Sequence, residues 1–280
     1  MPHIASRRVI ALRHSPRLQD FLNQDGAEGF TVFDAVDGRR PSSFVNEHFD
    51  FETAERRWHY TMPSSHAACT LSHLSVIREF ADAEGAPEDL LLIAEDDARF
   101  TSRARNVLAR VEASARHIDL LILADGYGEG EDAMPLGPTG TSVAVSALAP
   151  WMWIKGKLFR YGTYSGIPQG AGLYLMSRNA TRKYRAYVEA EGRPYWPADW
   201  FHFWALNSGI RPAFLMPGIA TWEGESSLGH PTSLSLYEEK TAAQRSTPVR
   251  RLNFYARAMA IKIKRTIKAT LYDARKGNVG

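Results

Sequence analysis

In the stretch "LLLIAEDDARF", Leu90 to Phe100, four apolar residues lead through Ala94 to three adjacent carboxylates, Glu95, Asp96 and Asp97. Like charges side by side repel, so the run needs water, a cation or a helix N-terminus to offset it. If the segment stays extended, Glu95 and Asp97 leave the same face and can grip a hard divalent cation. Such a cation could neutralise a diphosphate leaving group as a Lewis acid. The alternative is a solvated acidic turn. Position decides between them, and the apolar run places the acids at the end of a buried strand.

A second candidate lies in "RPYWPADWFHFWALNSG", where Asp199 sits among Trp196, Trp200, Phe201, Phe203 and Trp204. Desolvation there raises a carboxyl pKa and makes a better proton acceptor. Asp199 could equally cap a helix whose aromatics enter the core. His66 and His73 are about 10.5 Å apart along a helix, too far to share one metal. Trp151, Trp153, Trp196 and Trp200 could line a concave stacking surface or simply pack.

These residues need a scaffold, and 280 residues suffice for one large α/β domain. "RRVIAL" reads as a short buried strand, "HSPRLQDFLNQDG" as a helix, and Phe30 to Phe33 as a second strand. Ala67, Leu71, Leu74, Ile77 and Ala81 recur at helical spacing after Ser64 or Ser65. "DLLLIA" then forms the strand that ends in the acids, in a β-α-β pattern that favours a parallel sheet. Further on come a helix over about Ser102 to Ala115, a strand over Ile118 to Ala124, and a strand turning into a helix capped by Ser177. Residues 126–170 carry few periodic signals and read as binding loops or short strands. In open α/β sheets, ligands bind at the C-terminal ends of strands.

Composition excludes several classes. Nothing matches a P-loop, a dinucleotide-binding glycine turn, a zinc-finger spacing or a nucleophile elbow. One cysteine excludes an internal disulfide framework and fits a reducing compartment. Without an apolar run of about 18 residues or a secretory leader, the expected location is the cytoplasm. The net charge is +3, yet residues 248–280 hold nine cationic side chains against one Asp, a side-chain charge of +8 that leaves −5 for the rest. The chain therefore divides into a mildly acidic body, 1–247, and a basic tail, 248–280. Read as a helix, the tail sets an apolar stripe beside basic residues, a profile for an anionic membrane surface, or a helix docked on the body. An acidic body argues against nucleic acid as a partner.

Taken in order, the motifs resemble glycosyltransferase family 25, which includes bacterial lipooligosaccharide galactosyltransferases and collagen galactosyltransferases. The resemblance runs from about Val9 to Ile219. "VIALRHSPRLQDF" is similar to the family's opening strand and arginine-bearing helix, with Ala11 where an Asn is usual. "FDAVDG" follows in place, and "AACTLSHLSVIREF" is similar to the Gly-Cys-x-x-Ser-His helix with Ala68 replacing the Gly. "LLIAEDDARF", "GAGLYLMSRNATRKY" and "PADWF" match the acidic motif and two later elements.

The resemblance implies a GT-A-like α/β fold with a mostly parallel central sheet, and inverting transfer of a hexose, commonly galactose from UDP-galactose. It implies Mn2+ or Mg2+ at Glu95 and Asp97, with His230 of "LGHPTS" as a late third ligand, and Asp96 near the ribose. Asp199 becomes the base that activates the acceptor hydroxyl. Ser72 and His73 line or support the donor site, and Arg13 and Arg17 face the nucleotide. The acceptor is expected to be a membrane-linked glycan such as lipopolysaccharide or lipooligosaccharide, reached at the cytoplasmic face of the inner membrane. Two rivals are an inactive glycan- or nucleotide-binding relative and a metal-dependent nucleotide-sugar phosphohydrolase.

Overall fold

A computed structural model describes residues 3–39, 42–114, 117–124, 143–168, 170–222 and 248–277. An eight-stranded sheet organises the body. In chain order the strands are β1 (Ile4–Ala11), β2 (Thr31–Asp34), β3 (Leu90–Glu95), β4 (Ala98–Phe100), β5 (Leu120–Ile122), β6 (Ala144–Val145), β7 (Trp151–Ile154), β8 (Lys157–Gly162), β9 (Tyr164–Ser165), β10 (Leu173–Ser177), β11 (Pro212–Met216) and β12 (Ala220–Trp222). The helices are α1 (Leu18–Leu22), α2 (Ser43–His48), α3 (Phe51–Trp58), α4 (Ser64–Asp82), α5 (Ala104–Glu112), α6 (Arg178–Glu191), α7 (Phe201–Asn207) and α8 (Pro248–Gly277).

The main sheet runs β2-β1-β3-β10-β5-β11-β8-β7, and two small sheets pair β12 with β4 and β6 with β9. β1 pairs in parallel with both β2 and β3, and β5 with β11. β10 is inserted antiparallel between β3 and β5, and β8 and β7 extend the far edge antiparallel. The sheet is thus mixed where a mostly parallel one is expected. Strand periodicity reports which residues are buried but carries no direction, so the reversal of β10 has no local signature.

Side-chain alternation on the central strands shows that both faces are covered. Leu91, Ile93, Leu120, Ile122, Tyr174 and Met176 enter the layer containing α4, α6 and α7. Leu90, Leu92, Leu121, Leu173 and Leu175 enter the layer containing α1 and α5. All six residues of β3 except Glu95 are buried, which is why this strand reads as a continuous apolar run. α4 turns Ala67, Leu71, Leu74, Ile77 and Ala81 inward, as its spacing requires. α2 and α3, each capped by an oxygen side chain, Ser42 and Asp50, occupy a segment whose polar composition predicts only a connector.

Within 126–170 the described part, residues 143–168, forms short strands. The β7–β8 hairpin turns at Lys155 and Gly156, both at positive φ, the backbone a tight two-residue hairpin turn demands. α8 packs on β6 and β9. No helix among the described residues is long and apolar enough to cross a membrane.

Candidate functional site

β1 and β3 lie side by side in parallel, so the loops leaving their C-terminal ends emerge together. Glu95 is the last residue of β3, pairs with Ile10 and donates its backbone N–H to the Gly172 carbonyl at 3.0 Å. The chain then turns at Asp96 and Asp97 and returns as β4. The expectation of an extended acidic segment is therefore corrected. β4 pairs back onto β12, and that pairing requires a tight reversal through the two aspartates.

The turn separates the three acids by role. Asp96 is buried; Arg17 Nη2 donates to its Oδ1 at 2.8 Å, and the Ser15 hydroxyl donates to its Oδ2. Both of its oxygens are taken by the loop after β1. Arg17 also reaches Asp97 Oδ2, at 3.6 Å. Asp97 Oδ1 is buried and has no hydrogen-bond partner. Burial, then the adjacent Glu95 charge, pushes the Asp97 carboxyl up to about 7 against the opposing pull of Arg17.

Glu95 has the opposite environment. His73 Nε2 lies 3.0 Å from its Oε1, and the Cys69 thiol donates to the same oxygen at 3.8 Å. Burial works against the charged form, but the His73 hydrogen bond, the His73 charge and Arg17 outweigh it and hold Glu95 below its ordinary range. Tyr174, on β10, meets His73 Nδ1 at 2.8 Å, so the imidazole is fixed at both nitrogens. Burial, followed by the charges of Glu95, Asp199 and Asp97, pushes the Cys69 thiol well up. Cys69 stays protonated and donates. α4 supplies Cys69 and His73 four residues apart on one face, which is what brings both to one carboxylate.

Asp199 approaches from the turn before α7. That turn is fixed by Trp204 Nε1 donating to the Ala198 carbonyl at 3.0 Å and by the Thr70 hydroxyl donating to the Trp196 carbonyl at 3.1 Å. The side chain does not cap α7, whose N-cap position is held by Trp200 with no side-chain cap bond. Instead Asp199 Oδ2 accepts from the Gly170 backbone N–H at 3.1 Å. Burial raises its pKa, the Gly170 bond opposes the rise, and the Glu95 charge adds to it. Glu95, Asp97 and Asp199 thus share one electrostatic neighbourhood.

Beside these acids a cleft of about 150 Å3 is lined by Ala11, Arg17, Gly38, Ser72, His73 and Glu95 to Asp97, among others. It adjoins a cleft of about 450 Å3 lined by Arg13, Arg17, Asp34 and Arg39. Arg13 is exposed and pairs with Asp34 at 2.8 Å. Ser72 is buried; its hydroxyl accepts from the Val36 N–H at 2.9 Å and so holds the cleft wall that follows β2. Gly38 lets that wall approach α4, since a Cβ there would lie 2.6 Å from the Ser64 carbonyl oxygen. Near Asp199, the Trp222 ring lies against Gly170 and Gly172, and its backbone pairs with Ala98. Sequence reasoning passes over Trp222, Tyr174 and Ser15, because only long-range pairing brings them here.

The four-tryptophan surface is not assembled. Trp196 is fully buried and bonds to Tyr184, and Trp200 packs edge-on to Trp58. Trp151 and Trp153 stand on β7, at the sheet edge opposite β1 and β2. His230 lies outside the described residues.

A divalent cation fits this donor set. Asp97 keeps a buried oxygen without a partner and feels the charge of a second carboxylate, Glu95, and both are hard oxygen donors. Cys69, His73 and Glu95 also lie with ligand atoms within 4.8 Å of one another, but hydrogen bonds already join them.

Residues 6–130 match the family model of glycosyltransferase family 25 (LPS biosynthesis protein). The matched span includes Arg13, Arg17, Ser72, His73 and Glu95 to Asp97 and ends before Asp199. No curated protein matches the chain. The family match implies glycosyltransferase activity, and with it a nucleotide-sugar donor and a glycan acceptor.

Proposed function

We propose that this glycosyltransferase moves a hexose, galactose from UDP-galactose, onto a membrane-linked glycan with inversion, using a divalent cation held by Asp97 and Glu95. The observation that carries the reading is Asp97 Oδ1, a buried carboxylate oxygen without a partner beside a second acid. Such an atom costs stability unless a ligand completes it. When bound, manganese or magnesium supplies Lewis-acid neutralisation of charge on the departing diphosphate.

The chain's own residues do the rest. Arg17 and Arg13 line the adjoining clefts and offer guanidinium donors to the nucleotide. Asp96 is committed to Ser15 and Arg17, so its part is to fix the loop after β1. A ribose contact by Asp96 requires one of those bonds to open. His73, held by Tyr174, keeps Glu95 ionised and oriented. Asp199 accepts the acceptor hydroxyl proton; its raised pKa strengthens it as a base, and the Gly170 N–H holds its other face. Direct displacement needs no covalent enzyme intermediate.

The test is release of UDP from UDP-galactose with manganese, measured with and without a lipooligosaccharide-derived oligosaccharide, with the anomeric configuration of the product read by NMR. Acceptor-dependent release with an inverted product supports the reading. Acceptor-independent release supports a phosphohydrolase, and nucleotide binding without turnover supports an inactive relative.

A further inference from the structure

We propose that α8 and the edge strand β7 form one docking face for an anionic lipid bilayer. The inference goes beyond the carboxylate site and stands on different residues. α8 meets the body through small and polar side chains. Ala269 is buried, the Thr270 hydroxyl accepts from the Ala147 N–H at 2.8 Å, and Asp273 accepts from the Thr163 hydroxyl at 3.1 Å. The apolar stripe is elsewhere on the helix. Met259, Ile263, Ile267 and Leu271 recur at every fourth position and are all exposed. A docked helix ordinarily turns such a stripe inward. Here its four residues stay exposed, beside the side that docks on β6 and β9.

The flank of that stripe is basic. Arg257, Lys264, Lys268 and Arg275 are exposed and fall on one side of it at helical spacing. An apolar stripe with a cationic flank complements a surface that is apolar below and anionic above.

The body continues the face. β7 turns Met152 and Ile154 inward and leaves Trp151 58% and Trp153 71% exposed. Leu148, also exposed, follows the Ala147 that binds Thr270. Arg160 links the two parts: it donates to the Ser146 carbonyl and lies over the Trp151 ring at 4.5 Å. Tryptophan is the side chain best suited to the bilayer interface. β9, on which α8 rests, leads toward Gly170 beside Asp199.

The test is co-sedimentation of the full chain with vesicles of phosphatidylcholine alone and of phosphatidylcholine with phosphatidylglycerol. Wild type is expected to sediment only with the anionic vesicles. Lys264→Glu with Lys268→Glu is expected to weaken binding about thirtyfold at low salt. Ile263→Ser with Ile267→Ser, and separately Trp151→Ser with Trp153→Ser, are each expected to weaken it about tenfold or more. Circular dichroism checks that each variant is folded, and no donor or metal is needed, so failure here is separate from failure of the transferase reading. Failure of wild type to bind anionic vesicles overturns the proposal. So does a dimer in light scattering that the isoleucine variant dissolves without any vesicle binding. Loss of binding in the α8 variants alone, with the tryptophan variant unchanged, overturns the composite face.

Discussion

At the C-terminal ends of β1 and β3 the chain holds carboxylates away from water, whereas along β7 and α8 it holds tryptophan and isoleucine out in water. Each region breaks the ordinary rule in the opposite direction. Asp97 keeps a buried oxygen without a donor, and Trp153 keeps most of its ring without a cover. The core between them obeys the rule, with β3, β5 and β10 buried on both faces. The contrast teaches where to look for ligands. A group placed against its solvation preference in an otherwise well-packed molecule marks a place to look for a partner; the proposals above assign an ion and a nucleotide to one region and a surface to the other.

The largest expected effect is at Asp199. Asp199→Asn removes the proposed base but keeps an oxygen for the Gly170 N–H, so turnover should fall about a thousandfold with little change in donor KM. Steady-state kinetics on both substrates checks this. A parallel loss of donor affinity would move Asp199 from chemistry to binding.

Asp97→Asn should separate stability from function. The native carboxyl keeps its proton until about pH 7, while the unfolded chain releases it near the ordinary aspartate value. Between those values the native state binds more protons, so stability falls as pH rises across that window. In the absence of metal the Asn variant should therefore be more stable than wild type at pH 8, by at most about 4 kcal/mol, and the gain should vanish near pH 4. Urea melts at the two pH values, with a chelator present, give the comparison. A destabilised variant at pH 8 would mean that Asp97 is already neutralised within the protein.

Smaller effects sharpen the contrast further. Tyr174→Phe removes the hydroxyl that fixes His73 and should cost about 1 kcal/mol of stability, with a modest loss of cation affinity. Trp153→Ser, on the exposed edge, should change thermal stability by no more than about 0.5 kcal/mol despite losing a far larger side chain. A large loss there would show that the ring is packed in solution.

Much of the first region is legible in the sequence. An apolar run ending in acids marks Glu95 at the end of a central strand, and the spacing of Ala67, Leu71 and Leu74 orients α4. Ser177, expected as a cap, does accept from the Ala180 N–H at 3.1 Å. What stays hidden depends on partners distant in the chain. Nothing near Glu95 foretells that Cys69 and His73 of α4 converge on it, with Tyr174 of a reversed β10 holding His73 from behind. The turn that separates Asp96 from Asp97 is set by β4 pairing with β12. The second region is less legible still. "WMWI" is apolar throughout, so only its place at the sheet edge decides which residues are exposed, and edge position is a property of topology. The stripe of α8 can be read from spacing, but the polar side that docks cannot.

The central claim is that Asp97 and Glu95 hold a cation for a uridine diphosphate sugar. Calorimetric titration of UDP-galactose into wild type and Asp97→Ala, with and without manganese, tests it most directly. Binding to wild type only with manganese, and none to the variant, is the expected result. Metal-independent binding, or equal binding by both proteins, would contradict it and return the three acids to a solvated turn.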